Sequence, residues 1–189
     1  MDTDTGAIVV TGAGRTGTSL MMQTLRIIGI PVAGVDYCAE FPDNGHHPNG
    51  CWQLPIAEVR NGIHGHEYDG KAIKLFGPQL AKSNGELVDR VIVCHRDRDE
   101  SIASAVKLGS TQEAVDSPLA VEQIASAYDT NYVLIDEWIN EWQKRYIDIW
   151  FDGMLSQTEE QVRFIGDWLG VLVDDNQMCA VKNNIIRRN

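Results

Sequence analysis

Four short apolar runs mark the chain at intervals. They read AIVVTG from residue 7, KAIKLFG from residue 71, DRVIVCHR from residue 89 and RYIDIWFDG from residue 145. Near-continuous apolar runs rich in Val and Ile are typical of strands that are covered on both faces. The pattern therefore predicts four β-strands in a mainly parallel sheet.

Helical periodicity fills the stretches between these runs. Met21 and Leu25 recur at helical spacing after the first run. The longest helix is predicted to begin at Pro118, with Ser117 as its N-cap, and apolar or aromatic residues follow at steps of three or four as far as Trp142. Strands that alternate with helices favour parallel pairing, so the sequence predicts a three-layer α/β/α architecture.

The segment from 33 to 70 departs from this alternation. It is dense in Gly, Asn, Pro and His, which are residues that form turns. We expect a loop-rich excursion at the edge of the sheet, with a short helix at residues 55 to 60.

Composition narrows the possible functions. A length of 189 residues suits one domain, so we expect residues 1–189 to form a single unit. The net charge of −11, from 16 basic and 27 acidic residues, argues against a nucleic-acid partner and requires any anion site to be local. No apolar run is long enough for a membrane span, and the acidic start MDTDTG does not resemble a secretory signal. We expect a cytoplasmic protein with reduced cysteines and no membrane partner.

A glycine-rich loop, GAGRTGTS at residues 12 to 19, joins the first predicted strand to the first helix. Such a turn directs backbone N–H groups and the positive end of the helix at one point, which suits a phosphate. The spacing of Gly12 and Gly17 is that of a P-loop, but Thr18 stands where nucleoside triphosphatases have lysine. Arg15 supplies a cation from within the loop. The simpler alternative is a turn that only packs the helix against the strand.

The stretch RTGTSLMMQTL resembles the sulfotransferases that use 3′-phosphoadenosine 5′-phosphosulfate (PAPS), and most of all the arginine-type loop of tyrosylprotein and bacterial sulfotransferases. The resemblance implies a three-layer α/β/α P-loop domain whose loop binds the 5′-phosphosulfate. The residues that it assigns to this part of the cofactor are Gly14, Arg15, Thr16, Gly17, Thr18 and Ser19.

A second motif, VIVCHRDRDESIASAV, has Arg96 at the end of a predicted strand and Ser104 in the following helix. It is similar to the 3′-phosphate signature of the same family, although Arg98 stands where that family commonly has proline. A guanidinium and a hydroxyl at this spacing can converge on one phosphate. The alternatives are a surface salt bridge from Arg96 to Asp97 or Asp99 and a solvated Ser104.

The resemblance implies sulfuryl transfer to a hydroxyl or amine of a small-molecule, carbohydrate or peptide acceptor, with adenosine 3′,5′-bisphosphate (PAP) as the product. In that scheme Arg15 stabilises the leaving group. Lys74 matches a lysine of the cytosolic enzymes and either contacts the sulfuryl oxygens or lies at an exposed strand end.

The general base is the weakest match to the family. Phe76 stands where the cytosolic enzymes have histidine, whereas Asp36 and Glu40 lie near the position of the glutamate in the tyrosylprotein-type enzymes. His46 and His47 in the neighbouring loop are further candidates. No metal site is predicted, because the loop histidines do not have an established ligand spacing.

Two other functions remain open at this point. One is a P-loop kinase of small molecules that uses Mg-ATP, and the other is a non-catalytic nucleotide-binding module. A basic tail formed by Lys182, Arg187 and Arg188 either closes the nucleotide site or is a flexible terminus.

Overall fold

The computed structural model describes residues 6–36, 52–109 and 118–186. Its strands are β1 (Ala7–Thr11), β2 (Val35–Asp36), β3 (Trp52–Gln53), β4 (Ala72–Lys74), β5 (Val88–His95) and β6 (Arg145–Trp150). Four of them form a parallel sheet in the order β4-β1-β5-β6, and β2 and β3 form a separate antiparallel pair.

The helices alternate with the strands of the parallel sheet. They are α1 (Thr18–Ile27), α2 (Ile56–Val59), α3 (Gly77–Leu80), α4 (Arg98–Gly109), α5 (Pro118–Trp142), α6 (Phe151–Ser156), α7 (Thr158–Leu169) and α8 (Asp175–Ile186). Among the described residues, no helix is both long enough and apolar enough to cross a lipid bilayer.

Alternate residues of the central strand β1 belong to two separate cores. Ile8 and Val10 pack in a core with residues of α1, α6, α7 and α8. Ala7 and Val9 pack in a second core with residues of α3 and α5. Because side chains point alternately to the two faces of a strand, the sheet is the middle layer of three.

The predicted architecture is confirmed. Each of the four apolar runs coincides with a strand of the parallel sheet, to within one residue at the start of β5. The long helix begins at Pro118 as predicted, and its predicted N-cap lies outside the described residues. The short helix expected at 55 to 60 is α2. The carboxyl ends of β1, β4 and β5 therefore meet at one edge, where ligands of open parallel sheets bind.

Candidate functional site

The glycine-rich loop passes close to the end of β5. Gly12 has a φ of 146°, and a Cβ at this position would lie 2.5 Å from the carbonyl oxygen of Cys94. Only glycine can adopt this backbone at such a distance. Thr16 is 1% exposed, and its Oγ1 donates to the carbonyl oxygen of Ala13 at 2.8 Å. The loop therefore packs closely against the end of β5 and is held by a hydrogen bond between two of its own residues.

The loop is open to solvent at Gly14. This glycine is exposed, and no atom of the described residues lies within 4 Å of the place where its Cβ would be. Gly17 is the N-cap of α1, with a φ of 94°, and has no side chain to cover the first N–H groups of the helix. Thr18 and Ser19 pack inward, at 5% and 8% exposure. The start of α1 therefore has the chemistry of an anion site.

Arg15 connects the loop to α4. Its φ of 72° is unusual for a residue other than glycine. Its Nε donates to Oγ of the half-buried Ser104 at 2.9 Å. The two predicted phosphate motifs, which are 89 residues apart in the sequence, are thus in direct contact. The alternative of a solvated Ser104 is wrong, because this hydroxyl binds the loop arginine.

Arg96 follows β5 and lies at the same edge of the sheet. Its Nε and Nη2 donate to Oε2 of Glu100 at 3.2 and 3.0 Å, and its side chain is 23% exposed. The partners predicted for a surface ion pair were Asp97 or Asp99, whereas Glu100 is the partner in the structure. The structure also links Ser104 to the loop arginine, although the sequence pattern paired Ser104 with Arg96.

Phe151 joins the loop to Arg96 and was missed by sequence analysis. The guanidinium carbon of Arg96 lies 4.7 Å from the centroid of the Phe151 ring. A Cβ at Gly17 would lie 2.8 Å from the same ring. The signal available in the sequence was the position of Phe151 immediately after β6, because residues that follow parallel strands line the ligand-binding edge.

Lys74 ends β4 on the opposite side of β1 from Arg96. It is 5% exposed, so the alternative of an exposed strand end is wrong. Its Nζ lies 5.8 Å from the centroid of the Phe76 ring. Burial raises the pKa of the Cys94 thiol to about 12, and the positive charge of Lys74 partly opposes this rise. Cys94 is therefore a protonated core thiol.

Two tyrosine hydroxyls of α5 hold the backbone at this edge. Oη of Tyr128 donates to the carbonyl oxygen of Arg96 at 2.9 Å, and Oη of Tyr132 donates to that of Cys94 at 2.7 Å. The Tyr132 hydroxyl also accepts a hydrogen bond from the backbone N–H of Ala13 in the loop. Burial raises the pKa of Tyr132 far above its usual range, so the hydroxyl stays protonated. Helical periodicity alone predicts only that both tyrosines belong to the apolar and aromatic stripe of this helix.

His95, the last residue of β5, was also missed. Its ring stacks between Tyr132 and Trp150, with centroid distances of 5.1 Å in both cases. Its Nε2 lies 2.6 Å from Oδ1 of Asp148. This cluster packs around the last residue of β5, which Arg96 follows.

The candidate bases lie in or near the antiparallel pair. Asp36 is half-buried in β2, which pairs with β3, and β3 contacts α1 and β4, the strand that ends in Lys74. Glu40, His46 and His47 lie outside the described residues.

The remaining histidines and the basic tail have other contacts. Nε2 of His64 lies 2.6 Å from the carbonyl oxygen of Asn61, and Nδ1 of His66 lies 2.9 Å from Oδ2 of Asp69. Within residues 6–36, 52–109 and 118–186, no group of three or more His, Cys, Asp or Glu side chains could hold a metal ion. Lys182 lies in α8 and donates to Glu159, whereas residues 187 and 188 of the tail lie outside the described residues.

A solved structure has the same fold. The mouse sulfotransferase SULT7A1, crystallised in complex with PAP, is similar to this chain with a TM-score of 0.58 and 13% sequence identity. The similarity covers 98% of this chain and 66% of that chain. No family model matches the chain, and no curated protein matches its sequence. At this sequence identity the similarity establishes only the fold, which is the P-loop fold seen in sulfotransferases.

Proposed function

We propose that this protein is a PAPS-dependent sulfotransferase, which transfers a sulfuryl group to a hydroxyl or amine of an acceptor. The observation that carries the proposal is the hydrogen bond from Arg15 Nε to Ser104 Oγ. It joins a P-loop that lacks lysine to the helix that follows Arg96. Two adjacent anion sites suit a nucleotide that carries phosphate groups at two positions of one nucleoside.

The residues of the site fit PAPS at both ends. The exposed loop at Gly14, the start of α1 and the Arg15 guanidinium would hold the 5′-phosphosulfate. Arg96 and Ser104 would hold the 3′-phosphate. Two guanidinium groups and a helix N-terminus provide a local positive region in a chain whose net charge is −11.

The reaction requires alignment, charge stabilisation and removal of one proton. PAPS supplies the sulfuryl group when it is bound. In the proposed transfer the acceptor atom would form a bond to sulfur as the bond from sulfur to the 5′-phosphate oxygen breaks, and that oxygen would keep the electron pair. Arg15 and Lys74 would stabilise the charge on the leaving oxygen and on the sulfuryl oxygens. Asp36 would accept the proton of the acceptor, with Glu40 as the second candidate.

Calorimetric titration with PAP and, separately, with ATP plus Mg²⁺ tests the cofactor. We expect PAP to bind and Arg96→Ala to weaken that binding by roughly tenfold to a hundredfold, which is the typical loss of a charge-assisted hydrogen-bonding group. The matched control is Arg98→Ala. This arginine pairs with Asp129 at 2.8 Å and lowers the pKa of that carboxyl, so its loss should leave PAP binding unchanged.

The opposite pattern would exclude the proposal. Binding of Mg-ATP that does not depend on Arg96, without binding of PAP, would identify a kinase-like P-loop protein. Binding of PAP without transfer to any phenol, alcohol or amine in a screen with PAPS would leave a non-catalytic nucleotide-binding module.

Asp36→Asn tests the proposed base once an acceptor has been found. We expect turnover to fall by about a hundredfold or more, because general-base catalysis typically contributes that factor, while PAP binding stays unchanged. Asp69→Asn, at an exposed carboxylate that binds His66, is the control. Full turnover in Asp36→Asn would exclude this carboxylate as the base.

A further inference from the structure

Glu100 occupies one edge of the Arg96 guanidinium. Both Nε and Nη2 of Arg96 donate to the same oxygen, Oε2 of Glu100, at 3.2 and 3.0 Å. These two donors form one of the forks with which arginine binds carboxylates and phosphates. Because Phe151 stacks against the guanidinium at 4.7 Å, the ring and the carboxylate together cover much of this group.

The position of Glu100 in α4 allows a different contact. Asp97 precedes the helix, and its Oδ1 accepts a hydrogen bond from the backbone N–H of Glu100 at 2.9 Å. In a capping box the glutamate at this position would bind the N-cap backbone in return. Here its carboxylate binds Arg96 instead. The carboxylate thus lies at the proposed 3′-phosphate site.

A carboxylate and a phosphate compete for the same fork of donors. Glu100 is 56% exposed, so its ion pair with Arg96 is partly screened by water and is weak enough to be displaced. A 3′-phosphate beside an undisplaced Glu100 would meet a like charge. Either way, the negative charge of Glu100 opposes binding of this group.

We propose that Glu100 sets the affinity and specificity for the 3′-phosphate by occupying Arg96 until the nucleotide displaces it. This inference rests on the proposed function, because it assumes that Arg96 binds the 3′-phosphate. The Glu100 carboxylate binds the donors of Arg96 that the 3′-phosphate would otherwise bind. Its removal should favour nucleotides that carry a 3′-phosphate over nucleotides that lack one.

Two variants of the full chain separate competition from positioning. Glu100→Gln keeps a hydrogen-bond acceptor but removes the charge, and Glu100→Ala removes both. We expect both variants to bind PAP about twofold to fivefold more tightly than the wild type, which corresponds to the weak coupling of a half-exposed ion pair. Affinity for adenosine 5′-monophosphate, measured by its displacement of PAP, should not change, because this nucleotide lacks the 3′-phosphate.

The matched control is Glu159→Gln in α7. Glu159 accepts hydrogen bonds from Nε and Nη2 of Arg163 at 3.3 and 3.1 Å, also four residues apart, and it accepts a further bond from Lys182. This variant should bind PAP like the wild type. Thermal unfolding of each variant verifies that it is folded.

Other outcomes would overturn the inference. Unchanged or weaker binding of PAP by Glu100→Gln would show that the charge does not compete, and weaker binding by Glu100→Ala alone would show that Glu100 positions Arg96. An equal gain for adenosine 5′-monophosphate would show that the effect does not act on the 3′-phosphate. Failure of the wild-type protein to bind PAP would instead overturn the proposed function, and the inference with it.

Discussion

At the scale of single residues, the loop depends on backbone conformations that few side chains allow. Gly17 has a φ of 94° and lies against the ring of Phe151, whereas Gly14 is exposed and has no described residue against the place of its Cβ. The glycine spacing in the sequence predicted this loop. It could not predict that Phe151, from the other end of the chain, would pack against it, because that contact depends on the position of β6 in the sheet.

The two glycines provide a matched pair of variants. We expect Gly17→Ala to lower the free energy of unfolding by about 1–2 kcal/mol, because the positive φ at this position is strained for a residue with a Cβ. The new Cβ should also displace the Phe151 ring and so weaken PAP binding. Gly14→Ala should change the free energy of unfolding by less than about 0.5 kcal/mol. Urea denaturation of both variants measures the difference. Equal losses would contradict the role given to Gly17.

At the scale of elements, α5 does more than pack against the sheet. The predicted apolar stripe is buried in the second half of the helix, at Ile135 and Trp138, and Ile139 beside it is buried as well. Further towards its start, Tyr128 and Tyr132 bind backbone groups at the end of β5 and in the loop. Helical periodicity predicts which residues share a face. It does not distinguish a side chain that fills a core from one that holds a strand end.

The hydroxyl of Tyr132 is the clearest test of this role. Tyr132→Phe keeps the ring but removes the hydrogen bonds to Cys94 and Ala13, so we expect stability to fall by about 1 kcal/mol and PAP binding to weaken as the loop loosens. Tyr146→Phe, at a half-exposed tyrosine of β6, is the control and should change neither quantity. Chemical denaturation and calorimetry measure the two effects. Unchanged PAP binding in Tyr132→Phe would show that the loop does not need this hydroxyl.

At the scale of the whole molecule, strand order assembles the candidate site. The central strand β1 carries the loop, β4 on one side ends in Lys74, and β5 on the other side leads into Arg96. A chain with a net charge of −11 thereby places several cations around one short loop. The half-buried Asp36, which is the proposed base, lies in β2, whose partner strand β3 contacts β4.

The sequence by itself determined the alternation of strands and helices, the P-loop without its lysine and the spacing of Arg96 and Ser104. Such features are local, since they follow from residue periodicity and from the backbone preferences of glycine. Only the tertiary structure decided that Ser104 binds Arg15, that Glu100 occupies Arg96 and that Lys74 is buried. These contacts depend on which strands are neighbours and on how the helices cross their ends, and residue spacing along the chain does not encode those distances.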